Sequence, residues 1–316
     1  MSNWKKLAGK IFSSLGEKQE TSGLFVEVSE LLALKQKTAY LKGFNTKYST
    51  GAMAGDIKSA FKGRGMEMEE SRAYIFGDDI RDIDWRISAR KQQPYTKIYT
   101  EERDREVMLL IDMTSSMVFG TRKELKSVTA AKIASLLGWR ALENKDRVGG
   151  AIVKNNEFMR FKPNNQLGHF ASVCAKIANA SKEILQDSNL EHKTMIDALQ
   201  WIDINLQSRA VVFVVSDFHN FDEELQRKLA VIARKSYLYL VHVSDILEEY
   251  APKAGEYMVE SGDKKLVFDS GSKLFQKEYH KYFLDKRLNI KHFCNKVNGR
   301  YLNVINKNPL VEQLKI

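Results

Sequence analysis

The fold is decided by residues Val107–Met117, which read VMLLIDMTSSM. The first five residues form a continuous apolar run with a β-branched residue at each end, which predicts a strand buried on both faces. The run ends at Asp112, and two hydroxyl side chains follow at alternate positions, Thr114 and Ser116. A carboxylate and two hydroxyls at the end of a central strand provide the oxygen ligands that Mg²⁺ prefers. The alternative interpretation is a strand end followed by hydroxyls that cap the next helix.

Beyond this stretch, strand-like and helix-like patterns alternate along the chain, which is typical of a parallel α/β sheet. A second apolar, β-branched run, Ala210–Val215, also ends near an aspartate, Asp217. Ligands of open α/β sheets bind at the carboxyl ends of strands where the strand order reverses, so we expect Asp112 and Asp217 to meet there. A divalent cation would remove the repulsion between the two carboxylates. The sequence therefore predicts an α/β fold with a doubly wound, mainly parallel sheet.

Thr194 is the third candidate contributor to this site. It lies in the segment HKTMIDALQ, and its hydroxyl is expected to point back over the same edge of the sheet. Thr194 followed by Asp197 is also a serviceable capping box, so a capping role and a ligand role both remain open.

Composition and pattern divide the chain into three parts. These are a basic tail over residues 1–20, an N-terminal helix with a β-rich segment over residues 21–105, and an α/β domain over residues 106–316. The helix is predicted over Val26–Leu41, and glycine turns separate strand-like stretches such as Ser71–Phe76 and Tyr95–Thr100.

The middle segment contains a run of aspartates interleaved with arginines. One hypothesis is a metal-dependent hydrolase whose ligands are the acidic residues between Asp78 and Asp84. The other is a structural network or docking surface, because interleaved arginines would neutralise the carboxylates in bidentate pairs. We predict the second, with the following residues as a partner-binding surface: Asp78, Asp79, Arg81, Asp82, Asp84, Trp85 and Arg90.

Charge and cysteine content limit the compartment and the partners. The net charge is +10, and the excess lies at the ends, with 8 basic and 4 acidic residues in 1–50 and 7 against 1 in 286–316. Two cysteines, the lack of a secretory leader and the lack of a long apolar stretch predict a cytoplasmic protein. Met1–Leu15 has the spacing of a basic amphipathic helix that could contact the inner membrane peripherally. Nucleic-acid binding is not expected, because no RNP-type box, zinc finger or basic heptad region is present.

The candidate ligands also support a resemblance. Asp112, Thr114 and Ser116, then Thr194, then Asp217 resemble the metal-ion-dependent adhesion site of von Willebrand factor A domains, which runs Asp-x-Ser-x-Ser, then a threonine, then an aspartate. Thr114 stands where serine is usual and keeps the hydroxyl. This resemblance implies that Thr114 and Ser116 ligate Mg²⁺ (or Mn²⁺) directly, Thr194 directly or through water, and the two aspartates through water.

A longer resemblance covers about residues 25–310. The string KGRGMEMEESRAYIFGDDIRDIDWRISAR followed by EERDREVMLLIDMTSSM is similar to the bacterial family of domain of unknown function 58. That family couples such a segment to a von Willebrand factor A-like domain and is typically encoded beside MoxR-type AAA+ ATPases. The resemblance therefore implies a MoxR-type ATPase as partner and a protein ligand that offers an acidic side chain to the metal.

Three classes of function follow. The first is a non-catalytic, Mg²⁺-dependent interaction module that acts as an adaptor of the ATPase. The second is the hydrolase described above, although no serine–histidine, cysteine–histidine or HExxH arrangement is visible and His219 is the only histidine expected near the site. The third is a basic scaffold associated with membranes or nucleic acid, which rests on the charged ends alone.

Overall fold

The computed structural model separates into two compact units. The larger unit comprises residues 1–44 and 105–316, and the smaller comprises residues 45–104. The structure describes residues 23–41, 66–76, 78–101, 105–121, 123–186, 193–251, 255–261, 264–306 and 309–314. The amphipathic pattern over Met1–Leu15 lies outside the described residues.

The described strands are β1 (Met66–Ala73), β2 (Tyr95–Glu101), β3 (Glu106–Asp112), β4 (Arg147–Val153), β5 (Phe158–Asn164), β6 (Val211–Ser216), β7 (Tyr237–Ser244), β8 (Glu256–Ser261), β9 (Lys264–Asp269) and β10 (Arg300–Ile305). The described α-helices are α1 (Val28–Ala33), α2 (Trp85–Lys91), α3 (Lys126–Glu143), α4 (Leu167–Glu183), α5 (Lys193–Asn205), α6 (Glu223–Lys235), α7 (Lys273–Lys296) and α8 (Leu310–Gln313). In the described part of the chain, no helix combines the length and apolar content that a membrane crossing needs.

The larger unit is built on a six-stranded sheet with the order β10-β7-β6-β3-β4-β5. Every neighbouring pair is parallel except β4 and β5, which are antiparallel. Counted along the chain, the strands lie in the order 6-5-4-1-2-3, which is that of a doubly wound sheet whose order reverses between β3 and β6. The predicted fold class is therefore confirmed. The hairpin of β8 and β9 forms a separate two-stranded sheet.

Helices cover both faces of the sheet, which explains why β3 and β6 are apolar except at their ends. Helices α5, α6 and α7 pack on one face in a core that includes Met108, Leu110, Leu199, Val212, Val214, Leu229 and Phe293. Helix α3 packs on β3, β4, β6 and β7, with α4 beside it. All residues of β3 and β6 are buried as a result. Strands with two covered faces leave their carboxyl ends as the place where polar groups can collect.

The N-terminal helix belongs to the larger unit. The predicted helix over Val26–Leu41 is α1 followed by a 3₁₀-helix over Leu34–Tyr40. It packs against α3 and α4, where Trp139 Nε1 donates to the carbonyl of Leu31 over 3.0 Å and the amide of Val26 donates to Ser181 Oγ over 3.2 Å. The predicted segment 21–105 thus differs from the observed units, because its helix packs with the α/β domain and only residues 45–104 form a unit of their own.

A glycine in β4 allows this strand to lie close against β3. Gly150 has a φ of +147°, and a Cβ at this position would lie 1.9 Å from the carbonyl oxygen of Leu109. The pairing of β4 with β5 shifts register between Val148 and Gly150, as at a β-bulge. β4 then continues to Val153 and leads into a turn that contains Asn155.

The smaller unit is a β-hairpin with a helix in its connection. β1 and β2 pair antiparallel, and an isolated bridge joins Ile83 to Thr96. Between the two strands lie a 3₁₀-helix over Ile80–Asp82 and then α2. The predicted strand over Ser71–Phe76 ends earlier, at Ala73, whereas the predicted strand over Tyr95–Thr100 matches β2 closely.

Candidate metal centre

The candidate centre lies at the carboxyl ends of β3 and β6, where the strand order reverses. Asp112 is the last residue of β3, and Ser216, the last residue of β6, is followed directly by Asp217. The two strands pair in parallel with Ile111 opposite Val215, so both aspartates emerge at the same edge. Both carboxylates are buried, with exposures of 3% and 1%. The structure therefore brings together the two strand ends that the sequence singled out.

Two hydroxyls connect the two carboxylates. Thr114 Oγ1 donates to Asp112 Oδ1 over 2.7 Å, and Ser116 Oγ donates to Asp217 Oδ1 over 3.1 Å. The two hydroxyl oxygens themselves lie 3.2 Å apart. On the other side of Asp112, the hydroxyl of Ser216 donates to Oδ2. Side-chain oxygens from β3, its following loop and β6 thus form one continuous hydrogen-bonded chain.

Each of the two central hydroxyls carries a single proton, which it can donate to its carboxylate or to the other hydroxyl. When both protons go to the carboxylates, no proton lies between the two oxygens. The oxygens of Thr114 and Ser116 then meet through their lone pairs at 3.2 Å. A hard cation bound to both oxygens would offset this electron-rich contact, so the donor set fits Mg²⁺ or Mn²⁺.

The hydroxyls of Thr114 and Ser116 do not cap the next helix, so the alternative interpretation of them is wrong. Thr114 precedes a 3₁₀-helix over Ser115–Met117, but its side chain makes no capping hydrogen bond. Helix α3 begins much later and has Leu125 at its N-cap position. The hydroxyls bond to carboxylates instead, and the amide of Ser115 is held by Asn155 Oδ1 at 2.9 Å.

A buried lysine contacts the same centre. Lys126, the first residue of α3, places Nζ 2.7 Å from Asp217 Oδ2 and 2.8 Å from Glu248 Oε1. The side chains of Lys126 and Asp217 are almost completely buried, and that of Glu248 is largely so. Asp217 therefore has an ammonium partner, whereas the described hydrogen bonds of Asp112 come from neutral donors.

This asymmetry appears in the pKa values of the two aspartates. Burial, together with the negative charge of Asp217, raises the pKa of Asp112 to about 6. Burial also acts to raise the pKa of Asp217, but the positive charges of Lys126 and Lys286 outweigh it and hold that pKa below its usual range. Hydrogen bonds from Ser216 and Thr114 oppose the rise at Asp112 without cancelling it. Asp112 is therefore the carboxylate whose charge is least compensated.

Thr194 lies near the centre without joining the hydrogen-bonded chain. It is in the first turn of α5, and its hydroxyl donates to the carbonyl of Asn155 over 2.9 Å. Its side chain thus fastens α5 to the turn after β4, which in turn holds Ser115. Among the described residues, Met195 is the residue of α5 that lines the cleft, and Thr194 does not line it.

The centre opens into a small cleft of about 50 Å³. Its walls are formed by polar and apolar residues, which are Asp112, Thr114, Ser116, Met195, Ser216, Asp217, Phe218, His219, Asn220 and Leu225. A volume of this size holds a few water-sized particles. No group of three or more His, Cys, Asp or Glu residues is placed to hold a metal in the described part of the chain. A metal here would therefore depend on the hydroxyls of Thr114 and Ser116.

Among the residues that the structure describes, two histidines lie near the cleft rather than one. His219 is exposed at the rim, and its amide donates to Asp217 Oδ1 over 3.0 Å. His242 is a second histidine that the sequence did not indicate; its ring lies 6.0 Å from that of Phe218, and its Nδ1 is 2.8 Å from Tyr301 Oη. Burial lowers the pKa of His242 to about 3, so this ring is neutral near pH 7.

The aspartates of the smaller unit bond mainly within their own turns. Asp78 accepts from the amide of Ile75 over 3.0 Å and pairs with Arg72 at 2.7 Å. Asp79 accepts from the amide of Arg81 over 2.9 Å. We expected the side chains of the interleaved arginines to neutralise these two carboxylates. Instead, Asp79 is bound by the backbone amide of Arg81, and Asp78 is paired with Arg72, which precedes the acidic run.

Asp84 caps helix α2, since its Oδ1 accepts from the amides of Arg86 and Ile87, both at 3.1 Å. Asp82 lies in the 3₁₀-helix before it. Trp85, Arg81 and Arg90 are exposed, with Trp85 at 69%. In the described part of the chain, Asp78, Asp79 and Asp84 thus bond within the smaller unit, but not to the interleaved arginine side chains that the prediction named. The role of this acidic segment, Asp78–Asp84, as a partner-binding surface stays a prediction.

Comparison with known proteins identifies the family. A family model described as "Protein of unknown function DUF58" matches residues 70–289. This range takes in most of the chain, from β1 to α7. The chain belongs to the DUF58 family. The family resemblance that was stated from the string KGRGMEMEESRAYIFGDDIRDIDWRISAR and the strand after it is therefore confirmed.

Two curated relatives match this DUF58 chain over about two thirds of its length. They are "Uncharacterized protein Rv1480" of Mycobacterium tuberculosis (strain ATCC 25618 / H37Rv) and "Uncharacterized protein Mb1516" of Mycobacterium bovis (strain ATCC BAA-935 / AF2122/97). Each is 25% identical over 217 residues, which is 69% of this chain and 67% of the relative.

Similar solved structures include an aerotolerance-related membrane protein from Bacteroides fragilis NCTC 9343, with 14% identity, a TM-score of 0.41, and coverage of 66% of this chain and 96% of that one. A von Willebrand factor type A protein from Catenulispora acidiphila has 10% identity, a TM-score of 0.33, and coverage of 70% of this chain and 42% of that one.

The sequence of this DUF58 chain did not indicate four residues of the centre. Ser216 carried a usable signal, because it precedes Asp217 at the end of an apolar strand. Asn155 was noted only as part of a turn. Lys126 and Glu248 gave no signal, since a lysine at the start of a helix and a glutamate in a short helical turn are most often exposed to solvent.

Proposed function

We propose that this DUF58 protein is a non-catalytic, Mg²⁺-dependent protein-interaction module, with Mn²⁺ as a substitute ion. The observation that carries the proposal is the hydrogen-bonded series of side chains from Asp112 through Thr114 and Ser116 to Asp217, whose two central oxygens lie 3.2 Å apart. These hydrogen-bonded side chains lie where the strand order of the sheet reverses. This position supports the proposal, because open α/β sheets bind ligands there.

In this proposal each residue has a stated role. Thr114 and Ser116 would ligate the ion directly, Asp112 and Asp217 would act through water, and Thr194 would act directly or through water from the adjacent α5. When bound, the ion would supply an electrophilic site that an acidic side chain of a partner protein can bind. The chain's own contribution is to hold the two hydroxyls and both carboxylates in place before the partner arrives.

The absence of catalysis is part of the proposal, and the contacts of the carboxylates support it. A general base must reach a substrate proton with a free lone pair and a suitable pKa. The pKa of Asp112 is raised, but its carboxylate is buried and is held within the centre by the hydroxyls of Thr114 and Ser216. The carboxylates of Asp78 and Asp84, on which the hydrolase alternative depends, accept from backbone amides. No observation favours the hydrolase.

We also propose that the partner is a MoxR-type AAA+ ATPase and that the two proteins meet in the cytoplasm. The family membership supports this choice through the resemblance described above. The sequence contains no Walker A motif, so any ATP turnover would belong to the partner. The exposed Trp85 and Arg90 in the smaller unit offer a second surface for the same partner.

Calorimetric titration of Mg²⁺ and Mn²⁺ tests the metal site. The wild-type protein should bind one ion, and the Asp112→Ala variant should lose binding because the ion would lose a charged group that holds its water shell. Asp79→Ala is the matched control, since it also removes one aspartate and should leave binding unchanged. Equal binding by wild type and Asp112→Ala would contradict the assignment.

A pull-down with a MoxR-type ATPase from the same organism tests the partner. Retention of the ATPase in Mg²⁺ should be lost in EDTA and restored by added Mg²⁺. Asp112→Ala should abolish retention under both conditions. An ATPase that is retained equally in EDTA would show that docking does not use a metal bridge.

A further inference from the structure

The candidate metal centre already contains a cation, the ammonium of Lys126. Its Nζ lies 2.7 Å from Asp217 Oδ2, and the exposures of the two side chains are only 3% and 2%. Charge pairs buried to this degree are screened little by solvent, so the positive charge acts at nearly full strength on anything bound nearby.

The lysine is fixed in this position from several sides. Glu248 binds the same ammonium at 2.8 Å, and the ring of Phe119 lies 5.6 Å from it. Glu248 is itself held, because its other carboxylate oxygen accepts from the amide of Asp245 over 2.9 Å. The start of α3 fixes the backbone end of the lysine. The ammonium therefore has little freedom to move away from Asp217.

This contact divides the two oxygens of Asp217 between different partners. Oδ2 is bound by Lys126, whereas Oδ1 accepts from Ser116 Oγ and from the amide of His219. Only Oδ1 is joined to the hydroxyls that would hold an ion. One of the two negative charges that would attract the ion is thus already offset by a charge of the protein.

We propose that Lys126 is a built-in competitor of the divalent ion for Asp217, so that its charge weakens metal binding at this centre. The inference rests on the proposed function, since it concerns the affinity of the same site. Its direction follows from the signs of the charges: removing the ammonium strengthens the attraction for a cation, and removing the charge of Glu248 weakens it. The two partners of one salt bridge therefore have opposite effects on metal affinity.

The test is calorimetric titration of Mn²⁺ alone into wild type and variants at fixed ionic strength. Lys126→Gln keeps an amide that can donate to Asp217 and should bind Mn²⁺ at least about tenfold more tightly than wild type. Glu248→Gln should bind it more weakly, and Lys126→Arg, which keeps the charge, should stay close to wild type. The matched control is Lys132→Gln, a lysine of the same helix that pairs with Glu124 and should leave the affinity unchanged.

Folding of the variants is controlled separately, because Lys126→Gln leaves Glu248 without its cation. The double variant Lys126→Gln/Glu248→Gln removes one charge of each sign and avoids this unpaired carboxylate. It should also bind Mn²⁺ more tightly than wild type, since the lysine contacts Asp217 and the glutamate does not. Mn²⁺ should raise the unfolding temperature of both lysine variants by more than it raises that of wild type.

The outcomes separate this inference from the proposed function. If wild type binds Mn²⁺ and neither lysine variant binds it more tightly, the inference is overturned and the metal site stands. If the lysine variants bind at millimolar Mn²⁺ and wild type does not, the inference stands and the proposed metal-dependent function is overturned. If neither the wild type nor any variant binds Mn²⁺, both the inference and the proposed function are overturned.

Discussion

The centre at the ends of β3 and β6 and the acidic segment of the smaller unit are both rich in carboxylates, but they use them differently. Asp112 and Asp217 are buried and bind hydroxyls and an ammonium, in part from distant segments of the chain. Asp78 and Asp84 accept mainly from amides two or three residues away, with side-chain contacts from Arg72 to Asp78 and, at 3.4–3.5 Å, from Thr96 to Asp78 and Ser71 to Asp84. A carboxylate that accepts from its own turn stabilises that turn, whereas one that accepts from a distant segment holds a tertiary site.

The difference teaches that the density of acidic residues is a poor guide to a binding site. The acidic segment has four aspartates within seven residues, whereas the candidate centre has two that are more than a hundred residues apart. The candidate centre differs because the strand order brings its two aspartates together in a buried position. Burial there removes the solvent that would otherwise stabilise the charge of Asp112. The predictions below test this contrast, from the largest expected effect to the smallest.

The largest effect is expected from Asp217→Ala. This variant removes the buried carboxylate that pairs with Lys126 and accepts from Ser116, and breaking a buried pair should lower the free energy of unfolding by about 3 kcal/mol. Urea unfolding in EDTA measures the change. The control Asp203→Ala removes a less buried partner of Lys235 and should cost under about 1 kcal/mol. Equal losses for both variants would remove the distinction between the centre and an ordinary ion pair.

An intermediate effect is expected from pH, with opposite signs in the two regions. Because the pKa of Asp112 is about 6 in the folded protein and about 4 in an unfolded chain, the native state binds more protons within this window. The contribution of Asp112 to stability should therefore fall as pH rises from about 4 to about 6. Urea unfolding in EDTA across this range should show the fall in wild type and not in Asp112→Asn.

Asp78 should show the reverse. The hydrogen bond from the amide of Ile75, helped by Arg72, lowers the pKa of Asp78 although burial acts to raise it. Its stabilising contribution should be present above about pH 4 and lost as pH falls through the lowered pKa. The same titration on Asp78→Asn measures this loss, and a contribution that grows on acidification would contradict the assigned contacts.

The smallest effect is expected from Asp84→Ala. The loss of a helix cap should destabilise the smaller unit by about 1 kcal/mol, while Asp84→Asn should retain most of the stability because asparagine also caps. Hydrogen exchange of the amides of Arg86 and Ile87 measures the change locally. Neither variant should alter the affinity for Mn²⁺. A change in metal affinity would mean that the acidic segment and the centre are coupled.

Much of the fold could be predicted from local pattern. The apolar runs within β3 and β6 predict buried strands by themselves, since a strand that is covered on both faces has no solvent-facing positions along its interior. The convergence of Asp112, Thr114, Ser116 and Asp217 followed from one general rule about strand order. The split of the N-terminal helix into α1 and a 3₁₀-helix was not predicted, because both forms share nearly the same apolar spacing.

The rest of the centre depends on tertiary placement. Whether Lys126 reaches solvent or Asp217 is decided by the loop between β3 and α3, and no spacing in the sequence encodes that choice. Thr194 shows the same limit. Its hydroxyl donates to the backbone carbonyl of Asn155, and because every residue has a backbone carbonyl, the sequence does not indicate which one is the partner. The role of a polar side chain is therefore predictable only when its partner lies at a fixed distance along the chain.

The close approach of β4 to β3 has a consequence for mutational tolerance. Because even a methyl group at Gly150 would collide with the carbonyl of Leu109, any replacement there must push one strand away from the other. The displaced strand carries Asn155 at its far end, and the other carries Asp112. A genetic screen for lost partner binding should therefore recover substitutions at Gly150, although this residue lies in the middle of the sheet and has no side chain.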